Sequence, residues 1–325
     1  MRVLISDYKE QMELDYSLTI EAIQKILPEA VVVAEPYGTE SFYQELEKAN
    51  GWITAFVPVD RKLLQRAEHL SCISQNAVGY SNVSMEALQE RKIGLCHIEE
   101  YCTREVAEHA IALMMALNHN LSRYASVIQN KKQWHYKTAP AQQTLDHKTL
   151  AVFGLGRIGK VTAKLAQALG MKVIAVDPYV SKEEMKKLGI CKEEKIGALQ
   201  KADVVINHMA LTKENYHYFD EEAFRGMKKI PFFINVGRGG CMDEKALEQA
   251  LNQQWIAGAG LDVLESENVD LNNCPFVGRE DVILTPHSAF YSVDSIARLH
   301  KISGQNLAWY LSGQYEQIQG LIYRP

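Results

Sequence analysis

Short apolar runs alternate with amphipathic stretches over the first hundred residues of this 325-residue chain. The apolar runs predict the strands Val3–Ile5, Val31–Ala34, Trp52–Val57, Cys72–Gln75 and Ile93–His97. Helical spacing predicts helices between them, the first over Met12–Leu27, with Asp60 and Ser84 capping two later ones. Continuously apolar strands that alternate with helices indicate a parallel sheet buried on both faces.

The next stretch, Thr103–Gln129, carries apolar residues at helical spacing and predicts one long helix. Thr103 is its predicted N-cap. Residues Gln129–Lys148 show little periodicity and contain Trp134 and Pro140. They form either an arm that leaves the domain toward a partner subunit or a long surface loop, and the pattern does not separate the two.

The alternation of strands and helices resumes at residue 150. The apolar runs predict the strands Leu150–Phe153, Val173–Val176, Val204–Asn207, Phe232–Asn235, Ala257–Val263 and Val282–Leu284. A last helix is predicted over Val293–Leu311. Repeated strand–helix units are what a doubly wound parallel sheet requires, and the chain is long enough for two such domains.

Composition narrows the classes of protein that this pattern allows. Hydrophobic residues make up 47% and charged residues 23% of the chain, as in ordinary globular enzymes. The formal net charge is −5 without a basic tract, so nothing favours a nucleic-acid or membrane partner. The six cysteines form no Cys-x-x-Cys pair and have no histidine at zinc spacing. We therefore expect reduced thiols, a cytoplasmic location and no metal site.

A glycine-rich turn joins the predicted strand Leu150–Phe153 to a helix. Gly154, Gly156 and Gly159 have the spacing Gly-x-Gly-x-x-Gly, and Asp177 closes the following strand. In this context the turn indicates a dinucleotide site, where backbone N–H groups bind the pyrophosphate and the acid binds ribose hydroxyls. Because Asp177 would repel a 2′-phosphate, we expect NAD rather than NADP. The alternative is a tight turn in an ordinary α/β unit, with Asp177 as a solvated strand end.

Three polar residues each follow a predicted strand of the second sheet: Arg238, Glu267 and His287. Taken singly, each is more often a surface arginine, a solvated acid or a structural histidine. The carboxyl ends of parallel strands meet at one edge of a sheet, which is where ligands bind. Together the three predict an anchor for a substrate carboxylate and a carboxylate-paired proton donor.

These residues lie in motifs that resemble a known family, the D-isomer-specific 2-hydroxyacid dehydrogenases of the D-lactate and 2-hydroxyisocaproate type. The motifs are the glycine turn with Asp177, then Asn-x-x-Arg-Gly-Gly, Asp-Val-x-x-x-Glu and Thr-Pro-His, and the resemblance covers nearly the whole chain. It implies two Rossmann-like, doubly wound parallel-sheet domains and a homodimer. The dinucleotide-binding domain, residues 102–293, would be inserted into a flavodoxin-like substrate domain, residues 1–101 and 294–325.

The resemblance also implies roles for individual residues. His287 would be the acid/base, Glu267 would orient it, and Arg238 would bind the substrate carboxylate. Contacts with the cofactor are implied for Gly154, Gly156, Arg157, Ile158, Gly159, Asp177, His208, Thr212, Val236, Gly237, Arg238, Asp262 and His287. Contacts with the substrate are implied for Asn76, Ala77, Val78, Gly79 and Tyr101.

The predicted function is NAD-dependent interconversion of a 2-oxo acid and a D-2-hydroxy acid. The alternative is an NAD-sensing protein scaffold of the C-terminal-binding corepressor type, which shares this fold; a chain end at Pro325, soon after the last helix, disfavours it. Asn76 replaces the arginine of lactate-type members, and Ser81-Asn82-Val83-Ser84 lacks the family's two acids. The substrate and the physiological direction therefore stay open.

Overall fold

The computed structural model describes residues 1–12, 15–80 and 82–325. Part of the predicted helix from Met12 and the first residue of the Ser81–Ser84 motif therefore lie outside the described residues. The chain divides into two compact units. Unit 1 comprises Met1–Tyr101 and Ser292–Pro325, and unit 2, which is described throughout, comprises Cys102–Tyr291. Unit 2 is thus an insertion in the sequence of unit 1.

Unit 1 is built on one sheet. Its strands are β1 (Arg2–Ile5), β2 (Val31–Ala34), β3 (Gly51–Thr54), β4 (Cys72–Gln75), β5 (Gly94–Cys96) and β13 (Leu321–Tyr323). They lie in the order β2-β1-β3-β4-β5-β13, parallel except for β13, which is antiparallel to β5. The predicted strand Trp52–Val57 stops early because the next backbone amides, at Ala55 and Phe56, donate to the Asp7 carboxylate instead of a strand.

Helices cover both faces of this sheet. They are α1 (Ser17–Gln24), α2 (Glu40–Lys48), α3 (Arg61–Leu64), α4 (Met85–Arg91) and α12 (Val293–Leu311). Asp60 and Ser84 cap α3 and α4 as predicted, each accepting a hydrogen bond from a backbone amide of the first turn. The first helix begins at Ser17 rather than at Met12, because the Asp15 side chain accepts from the Ser17 amide at its start.

Unit 2 is built on a second sheet whose strands are all parallel. They are β6 (Thr149–Phe153), β7 (Lys172–Val176), β8 (Cys191–Lys192), β9 (Val204–Asn207), β10 (Phe232–Asn235), β11 (Gly258–Leu261) and β12 (Val282–Leu284). Their order is β8-β7-β6-β9-β10-β11-β12. The predicted α/β class with two parallel sheets is confirmed. The order reverses between β6 and β9, and the crevice at such a reversal is where open α/β sheets bind ligands.

The helices of unit 2 are α5 (Thr103–Asn118), α6 (Leu121–Ser126), α7 (Arg157–Ala168), α8 (Lys182–Lys187), α9 (Lys195–Lys201), α10 (Glu221–Arg225) and α11 (Glu244–Asn252). The prediction of one helix over Thr103–Gln129 is wrong. Asn120 has a left-handed φ of 53°, which ends α5 and separates it from α6. The N-cap position is Cys102, and Thr103 is already the first helical residue.

Buried aromatic rings form the centre of the unit 2 core. Phe219 packs edge to face against both Phe153 and Phe233, with ring centroids 5.0 Å apart in each of the two pairs. By contrast, Trp134, in the segment predicted as an arm or surface loop, is 88% exposed. No α-helix in the described ranges combines the length and apolar character that crossing a membrane requires.

Candidate active site

The glycine turn lies between β6 and α7, next to the crevice where the strand order reverses. A side chain at Gly159 would collide with the carbonyl oxygen of Gly154, so glycine there lets the helix approach the strand. A side chain at Gly156 would meet open space within 4 Å, which leaves room for a ligand against the backbone. Arg157 and Ile158 form the first turn of α7, where helix N–H groups favour a phosphate. The turn therefore fits a dinucleotide pyrophosphate.

Asp177, directly after β7, is tied to this turn. Its carboxylate accepts hydrogen bonds from the Leu155 amide at 2.7 Å and from the Tyr179 amide at 2.8 Å. These bonds hold one carboxylate oxygen against the glycine turn. A negative charge thus stands beside the pyrophosphate position.

His208, at the end of β9, also adjoins the turn. Its Nε2 lies 2.8 Å from the hydroxyl of Thr162 on α7, while its Nδ1 is buried without a hydrogen-bond partner in this fully described unit. Burial lowers the pKa of His208 to about 3, so the ring is neutral at physiological pH. Its side chain therefore ties α7 to β9 rather than offering a cation to a phosphate. Thr212, farther along the same loop, is exposed.

Two buried asparagines shape the loop that carries Arg238. The Asn207 side chain at the end of β9 donates to Asn235 Oδ1 at the end of β10, at 2.9 Å. Asn235 Oδ1 also accepts from the Gly237 amide, and its Nδ2 donates to the Arg238 carbonyl. The short segment Val236–Gly237 is thereby fixed, and Arg238 follows it with its side chain exposed.

The Arg238 loop lies against the segment that follows β11. A side chain at Gly239 would collide with the Leu264 backbone, so the two loops are in close contact. Glu267 comes a few residues after Leu264 on that segment. The pKa of Glu267 is lowered first by the hydrogen bond from His287, and the positive charges of His287 and Arg238 act in the same direction against partial burial.

His287 and Glu267 form a direct pair. His287 Nδ1 lies 2.9 Å from Oε2 and 3.0 Å from Oε1 of Glu267. An ionised carboxylate accepts hydrogen bonds only, so Nδ1 carries the proton and donates it to Glu267. Nε2 is then the nitrogen left for chemistry. The His287 side chain is 38% exposed, so the ring is open to a ligand.

Asp262, the first residue after β11, is a buried acid that holds the segment around His287. It is 1% exposed. Its carboxylate accepts from the hydroxyl of Thr285 at 2.6 Å and from the amides of Ser288 and Ala289 at 2.9 and 3.0 Å. Its carbonyl accepts from the His287 amide at 2.8 Å. We call residues 285–289 the His287 loop.

The candidate substrate residues Asn76–Gly79 and Tyr101 belong to unit 1. The loop follows β4, and two of its carbonyl oxygens accept hydrogen bonds from residues after β5. Ile98 N donates to Ala77 O, and His97 Nδ1 donates to Val78 O at 2.8 Å. The backbone amides of Ala77, Val78 and Gly79 donate to no residue among those described. Tyr101 holds Arg298 through its carbonyl, at 2.7 Å. The structure thus gathers Arg238, Glu267 and His287 in unit 2, and a loop with free amides in unit 1.

Comparison with known proteins agrees with this geometry. Residues 111–289 match the family model described as D-isomer specific 2-hydroxyacid dehydrogenase, NAD binding domain. The chain belongs to the D-isomer-specific 2-hydroxyacid dehydrogenase family. Residues 111–289 are accordingly its NAD-binding domain, which confirms the predicted family and cofactor.

Other members of this dehydrogenase family resemble the chain over most of its length. Glyoxylate reductase of Korarchaeum cryptofilum is 33% identical over 260 residues, which are 79% of this chain and 78% of that protein. Hydroxypyruvate reductase of Blautia hydrogenotrophica is 32% identical over 262 residues, 79% of this chain and 80% of that protein. The crystal structure of D-lactate dehydrogenase from Aquifex aeolicus, complexed with NAD and lactic acid, covers 99% of both chains with a TM-score of 0.83 and 26% identity.

Several residues that shape this candidate site have no role in the sequence analysis. They are Asn207 and Asn235 behind Arg238, Thr285 behind Asp262, and His97 behind the Asn76–Gly79 loop. One signal was available, because both β9 and β10 are apolar runs that end in asparagine. Repetition of a buried polar residue at neighbouring strand ends indicates a paired role. Thr285 and His97 offer no such signal.

Proposed function

We propose that the protein is an NAD-dependent dehydrogenase that interconverts a 2-oxo acid and the corresponding D-2-hydroxy acid. The observation that carries this proposal is the His287–Glu267 pair, at 2.9 Å, beside the loop that presents Arg238. An oriented imidazole next to an exposed guanidinium supplies the two things that reduction of a 2-oxo acid needs from the protein. These are a proton for the carbonyl oxygen and a cation for the carboxylate.

The proton transfer follows from the hydrogen bond that Glu267 accepts. Because Nδ1 donates to Glu267, Nε2 is the atom that gives a proton to the carbonyl oxygen in reduction and takes it from the hydroxyl in oxidation. NADH supplies the hydride, with both electrons, to the carbonyl carbon. The products are the D-2-hydroxy acid and NAD⁺, so that one proton and one hydride are added to the substrate.

Arg238 is proposed to bind the substrate carboxylate and to polarise its carbonyl. The planar guanidinium matches a carboxylate in a bidentate pair. In unit 1, the backbone amides of Ala77, Val78 and Gly79 are also proposed to bind a carboxylate. The carbonyls of Ala77 and Val78 accept hydrogen bonds within unit 1, whereas these three N–H groups have no acceptor among the described residues. We accordingly assign unit 1 as the substrate domain and unit 2 as the dinucleotide domain.

The cofactor is proposed to be NAD rather than NADP. Asp177 is fixed beside the glycine turn by the Leu155 and Tyr179 amides. A fixed carboxylate at this position accepts hydrogen bonds from ribose hydroxyls and repels a 2′-phosphate. The six cysteines are free thiols, which suits the reducing cytoplasm that we propose as the location.

The first experiment is NADH oxidation by the purified protein with a panel of 2-oxo acids: glyoxylate, hydroxypyruvate, pyruvate, oxaloacetate and phenylpyruvate. Small acids head the panel because two relatives are named for glyoxylate and hydroxypyruvate. We expect fast turnover of at least one acid with NADH, slower turnover with NADPH, and loss of turnover in His287→Ala. Tight NADH binding without turnover of any acid would contradict the proposal and favour the scaffold alternative.

A further inference from the structure

The backbone of His287 is held in a conformation that a histidine rarely adopts. Its φ is +49°, in the left-handed region that residues with a Cβ rarely adopt. The conformation persists because the surrounding hydrogen bonds determine it. Four of those bonds lead to Asp262, which accepts from the His287 loop through both its carboxylate and its carbonyl. The His287 amide also lies 3.0 Å from the Thr285 carbonyl oxygen.

A second histidine reaches this arrangement from helix α5, which packs against β10 and β11 within unit 2. His109 Nε2 lies 3.0 Å from the hydroxyl oxygen of Thr285 and 3.6 Å from Asp262 Oδ1. The Thr285 hydroxyl lies 2.6 Å from Asp262 Oδ1. Asp262, Thr285 and His109 thus form one continuous chain of polar contacts from the buried acid to the helix.

The direction of these hydrogen bonds is fixed by the atoms that take part. Asp262 already accepts two backbone amides and, as a carboxylate, donates none. The single hydroxyl proton of Thr285 therefore points to Asp262. Its oxygen is left as an acceptor, so His109 Nε2 must carry a proton and donate it to Thr285. Each donor in this chain turns the positive end of its dipole toward the Asp262 carboxylate. These donors stabilise a carboxylate that is only 1% exposed to water.

We propose that His109 is a positioning residue for the reaction, acting through Thr285 and Asp262 to hold the His287 loop in its left-handed conformation. This inference rests on the proposed function of His287, but the order of the loop can be measured without turnover.

Two variants remove the proposed chain of contacts at different points. His109→Phe keeps a ring of similar size and removes the donor, while Thr285→Val keeps the shape of threonine and removes its hydroxyl. Thr285→Ser restores the hydroxyl and serves as the rescue variant. His119→Gln is the matched control because it alters the histidine that caps the opposite end of α5.

The first readout is hydrogen–deuterium exchange of peptides covering residues 285–291 in the full-length protein. Loss of one buried hydrogen bond is expected to speed exchange of the His287, Ser288 and Ala289 amides roughly tenfold in both variants. Thr285→Ser and His119→Gln should match the wild type. Unchanged exchange in both His109→Phe and Thr285→Val would overturn the proposal.

The second readout separates positioning from general damage. We expect kcat to fall roughly tenfold while the Kd for NADH and the melting temperature stay near wild-type values, because the glycine turn is untouched. A kcat equal to that of the wild type would overturn the inference, as would a parallel loss of kcat, NADH binding and melting temperature. Absence of turnover in the wild type would overturn the proposed function instead, and exchange alone would then decide the role of His109.

Discussion

At the scale of single residues, hydrogen bonds show which histidine each acid of one loop pairs with. Glu265 and Glu267 stand two positions apart in one acidic loop. Glu267 pairs with His287 at 2.9 Å, whereas Glu265 pairs with His217 at 2.7 Å. Two histidine–carboxylate pairs of similar length therefore coexist in unit 2, and the positive charge of Arg238 helps to lower the pKa of Glu267.

The two histidine–carboxylate pairs allow a matched comparison of Glu267 with Glu265. Glu267→Gln presents an amide that can donate to Nδ1, which removes the preference for the Nδ1-protonated ring of His287. We expect kcat to fall about 100-fold or more, the usual scale of acid–base catalysis. Glu265→Gln should leave kcat within about twofold of wild type, since it disturbs His217 only. Steady-state kinetics with the best 2-oxo acid measures both, and equal losses in the two variants would contradict the assigned roles.

His208 leads to a prediction about stability and pH. Burial holds its pKa near 3 in the native state, whereas the exposed ring of the unfolded chain titrates near 6.5. Between these values the unfolded state binds more protons, so the free energy of unfolding falls as pH drops from about 6.5 toward about 3. The stabilisation is fully present above about pH 6.5.

Replacing His208 should therefore flatten the pH dependence. In His208→Asn, the slope of the unfolding free energy between about pH 6.5 and pH 4 should decrease by up to about 1.4 kcal/mol per pH unit. Urea unfolding at several pH values measures this slope. His147→Asn, at an exposed histidine, is the control and should keep the wild-type slope. Equal slopes for all three proteins would mean that His208 is not held neutral by burial.

The sequence predicts where single residues lie in the fold when they follow a strand in a recognisable motif. The places of the glycine turn, Asp177, Arg238, Glu267 and His287 were readable in this way, while their roles stay predictions. The left-handed φ of His287 and the path from Asp262 to His109 were not readable. They depend on contacts between residues 23 to 176 positions apart, for which no local pattern exists.

At the scale of elements, most strands could be predicted because buried parallel strands are short, continuous apolar runs. Val204–Asn207, Phe232–Asn235 and Val282–Leu284 have the predicted limits. The two-residue β8 and the three-residue β13 were missed, since runs this short carry no periodicity. The break at Asn120 was missed as well, because apolar spacing continues across it.

The loop after β4 is the element proposed to contact the substrate. His97 Nδ1 donates to Val78 O at 2.8 Å, and this bond fixes the peptide that joins Val78 to Gly79. We expect His97→Phe to raise KM for the 2-oxo acid roughly tenfold with little change in NADH binding, while His97→Asn keeps a donor and loses less. His69→Phe, at an exposed histidine of unit 1, should match the wild type. A KM that is the same in all three variants would exclude the loop from substrate binding.

At the scale of the whole molecule, exposed apolar side chains in the segment from the start of α6 to β6 indicate how copies associate. Trp134 and Tyr136 are 88% and 73% exposed, and Leu121 is 56% exposed. Exposed aromatic side chains of this kind are typical of protein interfaces. We propose that this segment contacts a second copy, as an arm would, and that the protein is a homodimer.

Sedimentation equilibrium tests the dimer. The wild type should sediment at twice the 36.7 kDa of one chain. The double substitution Trp134→Ser with Tyr136→Ser should shift the equilibrium toward monomer at low micromolar concentration, because aromatic anchors dominate interface energies. Leu188→Ser, at an exposed apolar residue elsewhere in unit 2, is the control. A monomeric wild type, or a dimer indifferent to the double substitution, would contradict the proposed interface.

The insertion of unit 2 between the two parts of unit 1 has a consequence for biosynthesis. Helix α12 packs against β3 and β4, and β13 completes the sheet, yet the ribosome makes both only after unit 2. The nascent chain therefore carries β1–β5 without α12 during translation of 190 further residues, whereas unit 2 has every strand of its own sheet once those residues are made. Exposed apolar strands attract chaperones and aggregate. Ribosome-bound chains stalled before residue 292 should hold a folded unit 2 and recruit holdase chaperones to the strands of unit 1.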